Sequence, residues 1–122
     1  MDSQQLTPHE VNQLAPNFYA KLKDFLESNQ KHVKPGETLE AIYYAPGARP
    51  INIGWLGFIG YYLIVIHGTD SDGADCVATC HMNSFSMVLR FIPAPPPPAA
   101  PKPPIGFHGD QGLEKTPDWT TQ

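Results

Sequence analysis

The chain is poor in cysteine, with 2 in 122 residues. That is too few for a disulfide scaffold, and no CxxC pair offers the usual spacing of a zinc site. Charge is scarce too, at 16% of residues, with a formal net charge of -4. Nine acidic side chains face six basic ones before Pro93, and three face two after it. No basic stripe exists. Lys21, Lys23, Lys31 and Lys34 belong to one mixed-charge helix and its exit, which argues against nucleic acid as a partner. A long apolar run is missing as well. The most apolar stretch, from Ile51 to Ile66, carries Asn52 and three glycines. A membrane-spanning helix needs roughly twenty residues, and this stretch is rich in strand formers. The opening residues MDSQQLTPHE have no positive region and no apolar core. They do not read as a signal peptide, so the expectation is a cytoplasmic protein with no membrane contact.

Proline, by contrast, is abundant. Fourteen are present, and a dense run extends from Pro95 to Pro104. Proline has no backbone N–H to give to a helix or a sheet. The expected organisation is a small domain over residues 1–92 and an extended or disordered proline-rich tail over 93–122, with all folding before Pro93. A domain of that size buries only about two thirds of its unfolded surface. Aromatic residues, 11% of the chain, help to supply its core.

The clearest local signal is Leu6-Thr7-Pro8-His9-Glu10-Val11. Thr7 suits the N-cap, Pro8 the first helical position and Glu10 the reciprocal capping position. Leu6 and Val11 suit a hydrophobic staple. Val11, Leu14, Phe18, Leu22, Phe25 and Leu26 then follow helical spacing. A helix is predicted over residues 7–30, kinked or split near Pro16. Strands are predicted at Thr38–Tyr44, Ile51–Gly57, Ile59–His67 and Ala74–His81. The third is apolar enough to be covered on both faces. Gly57 to Gly60 holds the turn between strands two and three, unless they form one long bent strand. Asp72-Gly73 marks a hairpin. Met87–Ile92 reads as a fifth strand, although Phe85–Leu89 suits a short helix equally well. The fold class is therefore α+β, one N-terminal amphipathic helix on a four- or five-stranded antiparallel sheet spanning 38–92. A single helix covers only part of such a sheet, which points to a homodimer.

Candidate chemistry is thin. Cys80 with His67 or His81 offers a thiol and a base, the ingredients of a small cysteine- or histidine-dependent enzyme. Nothing in the spacing joins them, because Cys80 and His81 are strand neighbours that point apart. Cys76 and Cys80, four apart on a strand, cannot share one tetrahedral ion. Both read more simply as core thiols. Asp70, Asp72 and Asp75 faintly suggest a calcium loop, but the spacing and closing glutamate of that motif are absent. A solvated turn accounts for them. Gly54, Gly57 and Gly60 make no phosphate loop and suit bulging or the close approach of another backbone. Tyr43, Tyr44, Tyr61 and Tyr62 read as packing residues. No cofactor is implied.

The proline run is the best functional hint. Such sequences favour the polyproline II helix and dock at low entropic cost. Ile105-Gly106-Phe107 follows as an apolar clip, which can fold back on the domain, enter a neighbour's groove or bind a partner. Trp119 sits in an acidic end with Asp110, Glu114 and Asp118. The expected function is a small non-enzymatic protein-binding or scaffolding module. It acts through an apolar sheet face and the tail, with Pro101, Ile105, Phe107 and Trp119 as interaction residues.

Overall fold

The structure is a computed structural model that describes residues 14–47, 49–96 and 102–112. Its elements are helix α1 (Ala15–Gln30), strands β1 (Glu37–Tyr43), β2 (Ile51–Ile59), β3 (Leu63–Asp70), β4 (Asp75–His81), β5 (Met87–Pro93) and β6 (Gly106–Asp110), with one 3-10 turn at Met82–Ser84. The α+β expectation holds: among the described residues one helix packs on a sheet that is antiparallel except at β6.

The predicted capping box lies outside the described residues. The described helix begins at Ala15 after an extended Leu14, with Pro16 in its first turn. Proline is tolerated there because the first helical N–H groups have no partner inside the helix. Pro16 thus marks a helix start. The Ala15 N–H is instead satisfied at 2.6 Å by the Tyr61 carbonyl, in the turn between β2 and β3. Ala15, Tyr19, Leu22 and Leu26 form the inward stripe at helical spacing. Phe25, expected inside, is 53% exposed, while Tyr19 is buried. The sheet beneath supplies Ile53, Leu56, Ile64 and Ile66, each at most 1% exposed. Burying each such side chain contributes about 1.5–3 kcal/mol.

Strand β2 runs past Gly57 to Ile59, and β3 starts only at Leu63. The turn therefore falls on Gly60-Tyr61-Tyr62. The reason is conformational: Gly60 carries the positive φ of +57°, which Gly57 does not need. At Gly57 the missing side chain serves another purpose. A Cβ there would lie 2.8 Å from the Gly109 carbonyl oxygen. Gly54 is the extra residue of a bulge between Ile53 and Trp55, opposite Gly68 and His67. The β3–β4 hairpin forms where Asp72-Gly73 predicts it, with Gly73 at φ +82°. The ambiguous Phe85–Leu89 region resolves into β5 from Met87, leaving Phe85 stacked on Tyr43 at 5.6 Å. Of the four tyrosines read as packing residues, only Tyr43 is in the core; Tyr44, Tyr61 and Tyr62 are exposed.

The strand order is β4-β3-β2-β1-β5, with β6 added on β2. The expectation that all folding ends before Pro93 fails at β6. Strand β1 leaves β2 after two residue pairs, Ile42 with Asn52 and Tyr43 with Ile51. The rest of that β2 edge needs another partner for its backbone groups. Residues 106–110 supply it as a parallel strand, from Trp55 opposite Gly106 to Phe58 opposite Asp110. Residues 94–105, the proline-rich segment, form the crossover from β5 to β6.

Candidate functional site

The register sorts every side chain to one of two sheet faces. Val77 of β4 stands opposite His67 of β3, which stands opposite Trp55 of β2. All three lie on the face away from the helix. His108 of β6 joins them by stacking on Trp55, with ring centroids 4.2 Å apart and planes within 14°. His67 lies 5.2 Å from the indole at a 16° interplanar angle. A row Val77–His67–Trp55–His108 thus crosses four strands. Gly57 lies beside the indole: a Cβ there would be 3.4 Å from Trp55 Cζ3.

Beyond this row, on the β1 and β5 side, the same face carries a polar cluster. Arg90 approaches Glu40 at 3.5 Å, and the Asn52 side-chain N–H donates to Glu40 Oε2 at 2.8 Å. Asn52 Oδ1 accepts from Lys102 Nζ at 3.2 Å. Burial pushes the Lys102 ammonium below its usual pKa, against the attraction of Glu40. The proline crossover is therefore tied down near both ends. Ala94 N–H donates to the Gly36 carbonyl at 2.9 Å at one end, and Lys102 and β6 hold the other.

The predicted catalytic residues are not brought together. Cys80 pairs with Ile64 and faces the helix, whereas His81 pairs with Leu63 and faces away. His67 also faces away, packed on Trp55. The sheet itself separates the thiol from both imidazoles. Burial raises the Cys80 pKa, opposed by a hydrogen bond with Tyr43. Burial also pushes Tyr43 up to about 12, reinforced by Cys80. Burial, then the Asp70 and Asp75 carboxylates, raise Cys76. A nucleophilic thiol needs the opposite shift. Asp70 and Asp72 close their own turn. Asp70 Oδ1 accepts from the N–H groups of Asp72 and Ala74, and Asp72 pairs with Arg49. Asp75 is exposed at the start of β4. Among the described residues, no group of three or more His, Cys, Asp or Glu is placed to hold a metal. None of the helices among them is long and apolar enough to cross a membrane.

Pro101 and Trp119 lie outside the described residues. Ile105 and Phe107 are half-buried against the chain's own core. The Phe107 ring meets Tyr19 edge-on at 6.1 Å, and Lys23 Nζ sits 6.0 Å from its centroid. The Gly109 N–H donates to the Tyr19 hydroxyl at 2.9 Å. An open groove of about 210 Å³ remains beside this contact, between Leu26, Gln30, Leu39 and Pro104. Sequence reasoning missed the Trp55 row. The bulge at Gly54 shifts the alternation of β2, and His108 reaches the row only through a strand placed beyond the prolines. No family model, no curated protein and no solved structure matches this chain.

Proposed function

We propose that the protein is a non-enzymatic binding or scaffolding module of the cytoplasm. It works as a homodimer and engages a protein partner through the open sheet face and the proline-rich segment. The observation that supports this reading is the anchoring of the crossover near both ends, by Ala94 to Gly36 and by Lys102 to Asn52 followed by β6. A proline-rich peptide tethered in this way has fewer conformations to lose on docking than a free one. Aromatic-lined grooves of the SH3 and WW type read such segments. Pro101 belongs to the contact surface, Ile105 and Phe107 hold the strap to the domain, and Trp119 adds an apolar anchor. The exposed Leu63, Val77 and Val88 extend the surface along the open face. The separation of Cys80 from His67 and His81 leaves the enzyme alternative without support.

The test is calorimetric titration of a panel of SH3 and WW domains. Each is offered the full chain, the chain with Pro95–Pro98 replaced by alanine, and a free peptide of residues 93–106. The reading expects at least one domain to bind the full chain more tightly than the peptide, and to lose binding with the alanine chain. If no domain binds, or the peptide binds as tightly as the full chain, the reading fails.

A further inference from the structure

The two ends of the strand path β4-β3-β2-β1-β5 are guarded differently, β6 lying off that path on β2. An open edge presents unpaired N–H and C=O groups and invites another strand, so sheets commonly protect it with charge or proline. On β5, hydrogen bonds Tyr44 N–H to Ser86 and Ala94 N–H to Gly36 fix the phase of the ladder with β1. They turn Met87, Leu89, Phe91 and Pro93 outward. Pro93 has no N–H to offer there, and Arg90 adds a charge beside them. This edge is blunted.

Strand β4 has no proline, and its one carboxylate, Asp75, stands at its first residue. Asp70 N–H to Ala74 and Met82 N–H to Tyr62 bracket its ladder with β3. They turn Cys76, Ala78 and Cys80 inward, and leave the backbone groups of Asp75, Val77, Thr79 and His81 pointing out. No described element pairs with that side. From Cys76 to Cys80 the strand has no Asp, Glu, Lys, Arg, Pro or Gly and no bulge. Val77 is 62% exposed.

We propose that the β4 edge pairs antiparallel with β4 of a second copy, about a two-fold axis at Ala78, joining two sheets into one. This rests on the homodimer reading above and names its interface. The second copy is the occupant because the edge complements itself. With Ala78 on the axis, all of β4 pairs, and Val77 and the partner's Thr79 exchange both of their outward hydrogen bonds. Asp75 then stands opposite the partner's His81, acid against base, on the open face. Any other centre shortens the ladder.

Light scattering on the full chain across a hundredfold concentration range is the test. The wild type is expected to rise from 13.5 kDa towards twice that mass. Thr79→Pro removes an outward N–H that the β3 ladder does not use, and should weaken association about tenfold or more. Thr79→Ala keeps that N–H and should leave the dimer intact. Val77→Lys, which keeps the whole backbone, is the second edge variant in case the proline variant unfolds. It should also weaken association, whereas Val88→Lys on the guarded side should not. A mass of 13.5 kDa throughout overturns both the homodimer and this interface. A wild-type dimer that survives Val77→Lys, or that Thr79→Ala disrupts as much as Thr79→Pro, overturns the interface alone.

Discussion

The two faces of the sheet are covered to different degrees. The helix face is closed: Ile53, Leu56, Ile64 and Ile66 are essentially inaccessible beneath α1, with Tyr43, Phe58 and Phe107 packed around them. The opposite face carries a row of flat rings, His67, Trp55 and His108, beside Gly57 and the buried Val65. The first arrangement gains from volume excluded from water, which scales with buried area. The second gains from ring-on-ring contact, a smaller and more directional term. Most of the buried side chains belong to the first face.

The largest effect is expected on the closed face. Leu56→Ala removes a side chain with no exposed surface at the centre of β2. It should cost about 2–5 kcal/mol, from lost transfer energy and the cavity left behind. Urea denaturation measures it. A loss below about 1 kcal/mol would show that the helix does not close this face as tightly as the packing implies.

Strand β6 tests the comparison within five residues, because Phe107 points to the closed face and His108 to the open one. Phe107→Ala removes a half-buried ring from Tyr19 and should cost roughly 2 kcal/mol. Amide exchange at residues 106–110 should quicken in the same variant, since β6 is held by a single neighbouring strand. Unchanged exchange there would mean that the parallel ladder alone retains the strand.

Much of this architecture was legible in the sequence, for identifiable reasons. The Asp72-Gly73 turn was readable because a positive φ demands glycine. The helix stripe was readable because its period is fixed by geometry. Phe25 was misplaced because residues three and four apart share a stripe, and only the edge of the sheet decides which flank is covered. Strand β6 was hidden by a rule applied too far. Prolines cannot form a ladder, but they can connect two strands that do, and Ile105-Gly106-Phe107 was the visible sign of the return. The fork of β2, paired with β1 at Asn52 and with β6 from Trp55, has no local signature. It arises from where β1 diverges, which depends on the whole sheet.

A pH test sharpens the account of the closed face. Burial raises Tyr43 from an ordinary 10.0 to about 12. A folded-state pKa above the unfolded one means that the folded chain holds its proton more tightly. The associated stability is complete below about pH 10 and is lost as pH rises towards 12. Tyr43→Phe has no proton to lose, so its urea midpoint should fall less steeply than the wild type across that window. Parallel slopes would mean that the hydroxyl is already hydrated in the folded protein.

The smallest effect belongs to the open face. His108→Ala deletes the ring nearest to Trp55 and leaves the β6 backbone in place. Stacked pairs of this kind contribute about 0.5–1.5 kcal/mol beyond area burial, and the lower end applies where water reaches the rings. The stability loss should therefore fall well short of that for Phe107→Ala. Trp55 fluorescence reads the same change locally, because the indole loses the imidazole lying 4.2 Å from it and gains contact with water. The expected result is a red-shifted emission with a nearly unchanged urea midpoint. If His108→Ala instead destabilises as much as Phe107→Ala, the open face carries as much of the fold as the closed one. Its aromatic row would then be a second core, and a binding surface built on it would have to include groups outside the row.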